Sequence, residues 1–476
     1  MFWILVSIFP FSADVKIDDK TGANEQAEIT IMAEDYLGLS SWVDNGSSST
    51  NWYDRSTDTT KTWGVDQDAF GSSDCCDPVI RKQGDVIHIV WLEYSAIKYV
   101  RSVDGGQTLS PPFVLESSGS VDHPWIAVKG DQVAIVWRGS GGIKVACSSD
   151  SGQTWNIVTL PGTGSNYIPV IDADRNNFYA VFWGTASGSY YGVDVSMAED
   201  CNNWTSSPVR VGLMYDGVGP NPYPQSIVAS GYKNMKDLLG KGMYIAYMHS
   251  RTGSRSDWRI YLARTLDDGM TWDTFMVAPN GDNSIYYMPT ITVDKFGNVH
   301  LFYFYKIAYQ QWALFHSMSS DYGNTWSDPI QVTDTTFQFV EESGCDINNV
   351  SYDCWPGHYI DSYADDERVY VAWADNRTGY FHVYSSYARI DDLNTVSAGE
   401  IAGTFRGIRF SSGVLSFYSA KSGRVPLEVY GANGRRLFSK HLNVHAGRNT
   451  VPLKMGTGIV IVRIGNQTFK VVGGVK

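Results

Sequence analysis

The sequence predicts an all-β fold, and three regularities of the chain carry that prediction. Its 476 residues include 46 Gly, 29 Tyr and 16 Trp, and few segments show helical periodicity. An eight-residue turn pattern, Ser-x-Asp-x-Gly-x-Thr-Trp, recurs six times with varying completeness, and an apolar segment ending in an aromatic residue recurs seven times. Short aromatic-rich segments between turns are typical of β-strands, and their recurrence indicates a repeat architecture.

The first element along the chain is an apolar run, residues 1–13, which is too short to cross a bilayer. Its composition favours a secretory signal segment, and a buried first strand is the alternative. Six cysteines fit an oxidising compartment. No other segment is apolar enough for a transmembrane helix, so we expect no transmembrane segment.

The repeated turn has a mechanical explanation, which its cleanest copy, Ser148–Trp155, illustrates. Ser, Asp and Thr side chains can bond backbone amides within a tight turn. Gly accepts a left-handed backbone, and Trp packs a large apolar ring beside the turn. The other copies, some of which have lost the Gly or the Trp, lie at 56–63, 102–109, 197–204, 265–272 and 319–326.

Each turn follows an apolar strand with a terminal aromatic residue, and further short strands flank that pair. Four antiparallel strands in each repeat of roughly 45–65 residues are typical of a β-propeller blade. We therefore predict a seven-bladed propeller, with six blades as the alternative if the first or fourth repeat is incomplete. The recurring strands are Gly38–Trp42, Ile87–Trp91, Val133–Trp137, Phe178–Phe182, Met243–Tyr247, Val299–Tyr303 and Val369–Trp373.

The last repeat lacks a copy of the turn, so its outer strand must come from elsewhere. Residues 15–18 can supply that strand and join the last blade to the first. We place the propeller at residues 14–390. Residues 391–403 have the composition of a linker, and residues 404–476 form short strands only, which predicts a small β-sandwich.

Charge changes sharply at the same boundary. Residues 401–476 contain 12 Lys and Arg and one acid, Glu428, which gives +11 and leaves −24 for the remainder of a chain whose total is −13. A composition break of this kind indicates a domain boundary. Long-range repulsion disfavours nucleic acid as a partner of the larger, acidic part.

The recurring turn resembles the Asp-box, or BNR repeat, of the sialidase superfamily of propellers, over about residues 24–390. The resemblance implies a propeller that acts on extracellular carbohydrate, as a sialidase-like glycoside hydrolase. One motif departs from the family, because no Arg-Ile-Pro occurs in the chain. The strands that open the repeats begin instead at Asp77-Pro78, His123-Pro124, Ile168-Pro169, Tyr223-Pro224 and Met288-Pro289.

The C-terminal segment resembles the sorting domain of type IX secretion. The resemblance rests on EVYGANGRRLF at 428–438, GRNTVPL at 447–453, GIVIVRI at 458–464 and KVV at 470–472. It implies recognition by the type IX secretion machinery, export across the outer membrane of a diderm bacterium, and release or attachment at the cell surface. An ordinary accessory sandwich is the alternative.

The candidate catalytic residues lie before the first strand and after the second strand of a repeat, where loops on a rigid scaffold meet. Asp77 and Glu93 lie on adjacent antiparallel strands and can form an acid–base pair. Tyr94 is a candidate nucleophile, and His123, beside Asp122, can shuttle protons. The structural alternatives are a turn cap for Asp77, a solvated charge for Glu93 and a hydrogen-bonded histidine at the rim for His123.

The candidate substrate-binding residues are charged or aromatic side chains at equivalent positions of other repeats. Arginines can grip carboxylates or hydroxyls, and aromatic rings can stack on sugars, although such rings are also ordinary packing. For Asp375 and Arg377 we expect a mutual surface pair rather than a binding role. The full set is Asp122, Arg138, Tyr167, Tyr223, His249, Arg251, Tyr287, Trp355, His358, Asp375 and Arg377.

The cysteines leave several pairings open. Cys75 and Cys76 can form a vicinal disulfide or pair separately, and Cys345 and Cys354 suit a disulfide that closes a loop. The pairing of Cys147 and Cys201 is undecided. We expect no cofactor apart from a structural calcium ion as an alternative, held by acidic residues between 66 and 77. The cysteines lack zinc-binding spacing.

Two functions therefore compete on the sequence alone. One is a secreted glycoside hydrolase that works at the mouth of the propeller, and the other is a non-catalytic surface propeller that binds glycan or protein there. An enzyme needs two ionisable groups that converge on one site.

Overall fold

The computed structural model describes most of the chain up to Asp391–Leu393 and the strands of the C-terminal segment. Its residues divide into two compact units, one of which ends at Arg389, whereas the other contains Ile390–Lys476. The described ranges are 10–21, 26–44, 50–68, 76–165, 167–185, 190–215, 227–231, 242–250, 258–277, 279, 286–308, 311–338, 357–393, 405–411, 414–419, 423–431, 436–444, 447–453, 458–464 and 467–473.

Almost all regular structure in these residues is β-strand, with one helical turn at 390–393. No helix among them is long and apolar enough to span a membrane. The described part of the larger unit contains seven antiparallel sheets, six of four strands and one of three. The first three are sheet 1, with β2 (Gln26–Glu34), β3 (Leu37–Asp44) and β4 (Thr50–Ser56); sheet 2, with β5 (Val79–Gln83), β6 (Val86–Glu93), β7 (Ala96–Ser102) and β8 (Phe113–Glu116); and sheet 3, with β9 (Asp122–Lys129), β10 (Gln132–Gly139), β11 (Gly142–Ser148) and β12 (Asn156–Thr159).

The next sheets repeat this plan. They are sheet 4, with β13 (Ile168–Ala173), β14 (Phe178–Thr185), β15 (Tyr190–Ala198) and β16 (Val209–Tyr215); sheet 5, with β17 (Ile227–Gly231), β18 (Met243–Ser250), β19 (Trp258–Thr265) and β20 (Asp273–Val277); and sheet 6, with β21 (Tyr286–Val293), β22 (Val299–Ala308), β23 (Gln311–Ser319) and β24 (Ile330–Gln331). Sheet 7 contains β25 (Asp361–Ala364), β26 (Arg368–Asp375), β27 (His382–Arg389) and, at its outer edge, β1 (Val15–Lys16).

The first strands of the seven sheets pack against one another in a closed cycle. β2 contacts β5, β5 contacts β9, and the series continues through β13, β17 and β21 to β25, which contacts β2 again. Within each sheet the other strands follow the first strand in order of pairing, and in sheet 7 β1 forms the far edge. Short antiparallel sheets arranged in this way match a β-propeller, and the beginnings of the first strands are thereby brought close together.

The N-terminal segment closes sheet 7, as the sequence predicts. Val15 pairs with Ser385 and Lys16 with Tyr384, and Phe11 forms a further bridge with Ala388. Phe11 is buried and packs edge-on against Phe302 and His316. Phe11 falls within the apolar run 1–13 expected to be a signal segment; residues 1–9 of that run lie outside the described part.

The repeated turns have the predicted chemistry. In the copy at 148–155, Ser148 Oγ donates to Asp150 Oδ1 at 2.8 Å and Thr154 Oγ1 donates to Asp150 Oδ2 at 2.6 Å. The backbone N–H of Gly152 donates to Ser148 Oγ, and Gly152 has a left-handed φ of 79°. Equivalent Thr-to-Asp bonds recur at Asp58, Asp104, Asp267 and Asp321.

The fourth turn is braced differently. Cys201, beside Asp200 in that turn, forms a disulfide with Cys147 on β11, with 5.4 Å between their Cα atoms. The bond joins sheets 3 and 4 and settles a pairing that the sequence leaves open. Cys76 is also disulfide-bonded, whereas Cys75, Cys345 and Cys354 lie outside the described residues.

The C-terminal unit consists of two antiparallel sheets around one apolar core, which includes Phe417, Leu427 and Val462. Burial of these side chains between the sheets is the driving force for a small sandwich. One sheet contains β28 (Phe405–Ser411), β29 (Val414–Ser419) and β32 (Gly447–Pro452), and the other β30 (Gly423–Gly431), β31 (Arg436–Val444), β33 (Gly458–Ile464) and β34 (Gln467–Gly473).

Candidate functional site

The beginnings of several first strands share an uncommon backbone conformation. Glu28, Asp77, His123 and Met288 have φ values of 54°, 52°, 47° and 44°, although none is glycine. At Glu28 and Met288 the residue also interrupts the pairing of its strand with the next one. Left-handed non-glycine residues cost about 1–3 kcal/mol each and tend to cluster at functional sites. Their recurrence at one end of the cycle marks that end as the candidate site.

Four ionisable side chains converge there and form what we call the histidine–carboxylate cluster: Glu28, Asp77, His123 and His358. His123 Nδ1 lies 3.1 Å from Asp77 Oδ1, and His358 Nδ1 lies 2.6 Å from Glu28 Oε1. The backbone N–H of Asp77 donates to Glu28 Oε2 at 3.1 Å. The two imidazole centroids are 5.0 Å apart. The cluster combines sheets 1, 2 and 3 with the segment before β25, so only the closed cycle assembles it.

Gly357 allows the segment before β25 to approach sheet 1. Its φ is 96°, and a Cβ at this position would collide with the backbone nitrogen of Glu28. A larger residue would therefore push His358 away from Glu28. The glycine is required by the close approach as well as by its conformation.

Burial dominates the electrostatics of the cluster. It raises the pKa of Glu28 to about 7. Burial opposes the charge on His123, but the carboxylates of Asp77 and Asp122 outweigh it and raise the pKa of that imidazole to about 9. Burial and the neighbouring His123 lower the pKa of His358 to about 3. Two adjacent imidazoles with pKa values on opposite sides of neutrality are a feature of functional sites.

Below the cluster lies a rigid polar and aromatic base. Tyr359 donates from its hydroxyl to the carbonyl of Pro78 at 3.3 Å and packs edge-on against Trp125. Arg81 Nη1 lies 2.8 Å from Asp361 Oδ2, and both side chains are largely buried. These contacts join β5, β9 and β25 and hold the ends of the first strands in place.

Beside the cluster, Asp122 and Arg138 form a more exposed ion pair. Arg138 Nη2 lies 2.8 Å from Asp122 Oδ2, and both side chains keep part of their surface open to solvent. Asp122 is adjacent in sequence to His123, so the pair lies at the edge of the buried site. A ligand can contact this ion pair while the bond between Asp122 and Arg138 stays formed.

The structure does not bring all four candidate catalytic residues together. Asp77 and His123 belong to the cluster, but Glu93 pairs with Lys98 and accepts a hydrogen bond from the indole of Trp91. Tyr94 is 74% exposed, with a φ of 53° in the loop between β6 and β7. Asp77 therefore has His123 as its charged partner, and the expected pairing of Asp77 with Glu93 is replaced. The catalytic roles of the four residues stay predictions.

The aromatic candidates are packed on other rings. Tyr287 is buried and stacks on Trp258 with centroids 5.1 Å apart. Tyr167 stacks on Phe182 at 5.7 Å, and His249 meets Tyr261 edge-on at 5.0 Å. These rings belong to sheets 4, 5 and 6, and their binding roles stay predictions. Tyr223, Arg251 and Trp355 lie outside the described residues.

Asp375 and Arg377 are paired, but the expectation of a surface pair is wrong. Asp375 is fully buried, and Arg377 donates to it from both Nε and Nη2. Nη1 of the same arginine contacts Asp14 at 2.5 Å, and the indole of Trp373 also donates to Asp375. Because Asp14 precedes β1, the group fastens the N-terminal segment to sheet 7.

Sequence reasoning missed Glu28. In the sequence, the candidate positions stand out because proline follows them, as in Asp77-Pro78 and His123-Pro124. Glu28 is followed by Ile29 instead, so this signal does not mark it. Its position relative to the strand that ends at Trp42 matches that of Asp77 relative to Trp91, at a distance of 14 residues in each case. An alignment of the repeats on their strand-ending aromatics would therefore have found it.

Comparisons with known proteins give distant structural likenesses only. No family model matches the chain, and no curated protein does. An ulvan lyase, solved bound to -[GlcA(1-4)Rha3S]-, is 12% identical and covers 81% of this chain and 99% of its own, with a TM-score of 0.49. The NanB sialidase of Streptococcus pneumoniae is 12% identical over 62% of this chain and 67% of its own, at 0.43.

A third structure, a protein of unknown function from Dyadobacter fermentans, is 14% identical. It covers 80% of this chain and 99% of its own, with a TM-score of 0.43. Identities of this size with TM-scores below 0.5 assign neither a family nor an activity to the chain. Any function has to be argued from the site itself.

Proposed function

We propose that this protein is a secreted or cell-surface enzyme that acts on extracellular glycans, as a glycoside hydrolase on a seven-bladed propeller. The observation that carries the proposal is the convergence of two imidazoles and two carboxylates from four separate parts of the chain. Cleavage of a glycosidic bond requires ionisable groups on both sides of the bond. The cluster supplies such groups at one end of the sheets, where their strands begin.

The seven blades correspond to the seven sheets of the larger unit. Their first strands pack in a cycle, and β1 adds the outer strand of sheet 7. Closure by strands from both ends of a chain locks such a ring. It also keeps β2, β5, β9 and the segment before β25 in register, which the cluster requires.

The C-terminal unit is proposed to be a type IX sorting domain, which would place the enzyme outside a diderm bacterium. The support is the sequence pattern of 404–476, a net +11 beside an acidic larger unit, and a compact core of its own. Deleting 404–476 in a bacterium with this secretion route should leave the protein inside the outer membrane. Export of the deletion variant would contradict the proposed sorting role.

The enzymatic proposal is tested by a screen of glycan substrates, including sialosides, with purified protein. We expect turnover by the wild-type chain, and losses on the order of 10²–10⁴-fold in kcat/KM for Asp77→Asn and His123→Gln. Glu34→Gln is the matched carboxylate control, because the ion pair of Glu34 with Lys82 lies at the end of β2 away from the cluster, and it should retain activity within a few-fold. If activity were lost in Glu93→Gln and kept in the cluster variants, the catalytic residue would be Glu93 and not a member of the cluster.

A non-catalytic glycan-binding propeller is the alternative, favoured by the stacked aromatic pairs of sheets 4 to 6. Glycan arrays separate the two functions. Binding that persists in Asp77→Asn, with no turnover of any bound glycan by the wild-type protein, would establish the binding function and exclude hydrolysis.

A further inference from the structure

We propose that Asp77, His123 and His358 bind one divalent transition-metal ion, with Zn²⁺ as the ion that this ligand set favours. Where the ion binds is argued from geometry alone. What it does for a substrate rests on the proposed action on glycans. No sequence spacing indicates this site, because its ligands lie 46 and 235 residues apart along the chain.

The first argument is the distance between donor atoms. One ligand atom from each of the three side chains lies within 4.8 Å of the other two, and this is the one such group of His, Cys, Asp and Glu found among the described residues. His123 Nδ1 and Asp77 Oδ1 are 3.1 Å apart. In a tetrahedral zinc site with bonds of about 2.0–2.1 Å, neighbouring ligand atoms are about 3.3 Å apart. The His123–Asp77 pair already matches this distance, whereas the separations to His358, which lie within 4.8 Å, have to shorten toward it when an ion binds.

The second argument is a carboxylate oxygen without a well-aligned donor. Asp77 Oδ1 is buried and has no hydrogen bond of acceptable geometry in the described structure, although His123 lies nearby. A buried carboxylate oxygen in that position is costly unless a cation or a donor satisfies it. The protonated His123 imidazole supplies this charge in the absence of metal, and a metal ion bound between Asp77 and the imidazoles would supply it in place of that proton.

The third argument is an outer carboxylate that holds the ligands. Glu28 Oε1 lies 2.6 Å from Nδ1 of His358, in contact with the ring although not in hydrogen-bond geometry. Glu28 Oε2 accepts the backbone N–H of Asp77. Ligating histidines commonly have a carboxylate on the second ring nitrogen, which fixes the tautomer and the ring orientation. Glu28 already positions Asp77 through its backbone N–H, and its second oxygen lies close enough to His358 to take this role once the ring turns toward it.

The types of ligand atom in the site indicate which metal ion it prefers. Two imidazole nitrogens and one carboxylate oxygen suit zinc and other first-row transition metals, whereas calcium prefers six to eight oxygen ligands. The sequence suggests no cofactor, with calcium in the acidic loop that includes Asp77 as an alternative, and the cluster points to a different ion. Three protein ligands leave the fourth position for water or for a sugar oxygen. The partly exposed Asp122–Arg138 pair, adjacent in sequence to His123, could orient the sugar.

The test uses the full chain, stripped with a chelator and titrated with Zn²⁺ by calorimetry. We expect one equivalent to bind and to raise the melting temperature. Asp77→Asn and His358→Gln should weaken binding by on the order of 100-fold or more, and Glu28→Gln by roughly 10–100-fold, as for a residue that orients a ligand. Glu93→Gln is the control and should bind as the wild-type chain does.

Co²⁺ provides a readout that does not depend on the folding of any variant. Stripped wild-type protein loaded with one equivalent of Co²⁺ should show the visible absorption of a four-coordinate nitrogen–oxygen site. Absence of stoichiometric Zn²⁺ binding by the wild-type chain would overturn the proposal, as would binding that is unchanged in both Asp77→Asn and His358→Gln. Zinc binding without glycan turnover would refute the glycan function alone, and turnover without metal binding would refute the metal site alone.

Discussion

At the scale of the residue, one aspartate in each complete turn organises the loop around it. Asp150 accepts hydrogen bonds from the Ser148 and Thr154 hydroxyls and from the backbone N–H groups of Gln153 and Thr154. All the donors lie within four residues of the acceptor. The loop can therefore form before distant contacts exist. These bonds to the ionised carboxylate, that from the Thr154 hydroxyl above all, lower the pKa of Asp150 to about 2.

This lowered pKa predicts how the turn responds to acid. Because the folded pKa lies below the ordinary aspartate value of 3.8, the unfolded state takes up the proton first as the pH falls. The contribution of Asp150 to stability is thus complete above about pH 4 and is lost as the pH falls through about 2. Asp150→Asn should reduce the dependence of the free energy of unfolding on pH in this window, as measured by urea denaturation.

Thr154→Val tests which donor lowers the pKa of Asp150, because it removes the hydroxyl that donates to Asp150 Oδ2. We expect the pKa of Asp150, followed by NMR titration of its carboxyl carbon, to rise toward 3.8 in this variant. An unchanged pKa would show that the backbone amides alone determine it.

At the scale of the element, β1 matters more than its two residues suggest. Few backbone bonds hold so short a strand, so side chains must anchor the segment around it. Arg377 joins Asp14 to the buried Asp375, and Asp18 lies 2.9 Å from His382 on β27. The aromatic ring of Phe11 packs into the same region. The N-terminal segment is therefore attached to sheet 7 by a small network of side-chain contacts, in addition to the backbone pairing of β1.

Arg377→Met should destabilise the larger unit by about 3–5 kcal/mol, because it leaves buried carboxylates without their cation. Arg138→Met is the matched control: its pair with Asp122 is more exposed, and a loss of at most about 1 kcal/mol is expected. Both values come from chemical denaturation of the two variants. Equal losses would mean that the closure is not held by the buried pair.

At the scale of the whole molecule, two units have separate cores and opposite charge. The core of the C-terminal unit is built from its own two sheets, with Leu415 and Phe417 on one and Leu427 and Val429 on the other. The histidine–carboxylate cluster draws on the larger unit alone. Chemistry and sorting can therefore reside in different units of one chain.

Removal of residues 394–476 should leave the site intact. We expect the shortened chain to bind Zn²⁺ and to turn over glycans within about twofold of the full chain, since no residue of the cluster is lost. Calorimetric titration and initial rates measure the two quantities. A tenfold loss of either would mean that the C-terminal unit supports the site.

The sequence by itself determined the features that act over a few residues. Ser, Asp, Gly and Thr within eight positions specify each turn, and the aromatic residues near the ends of β6, β10 and β26 mark each repeat, so the all-β repeat fold was predictable. It also named Asp77 and His123, because each precedes a proline at the start of a first strand.

Only the tertiary structure decided which of these side chains meet. Glu28 and His358 join Asp77 and His123 because the cycle of sheets closes and left-handed residues turn three of the side chains to one place. Asp14 and Arg377, 363 residues apart, meet for the same reason. Local hydrogen bonds are encoded in adjacent residues, whereas a buried charge cluster depends on the packing of every sheet between its members.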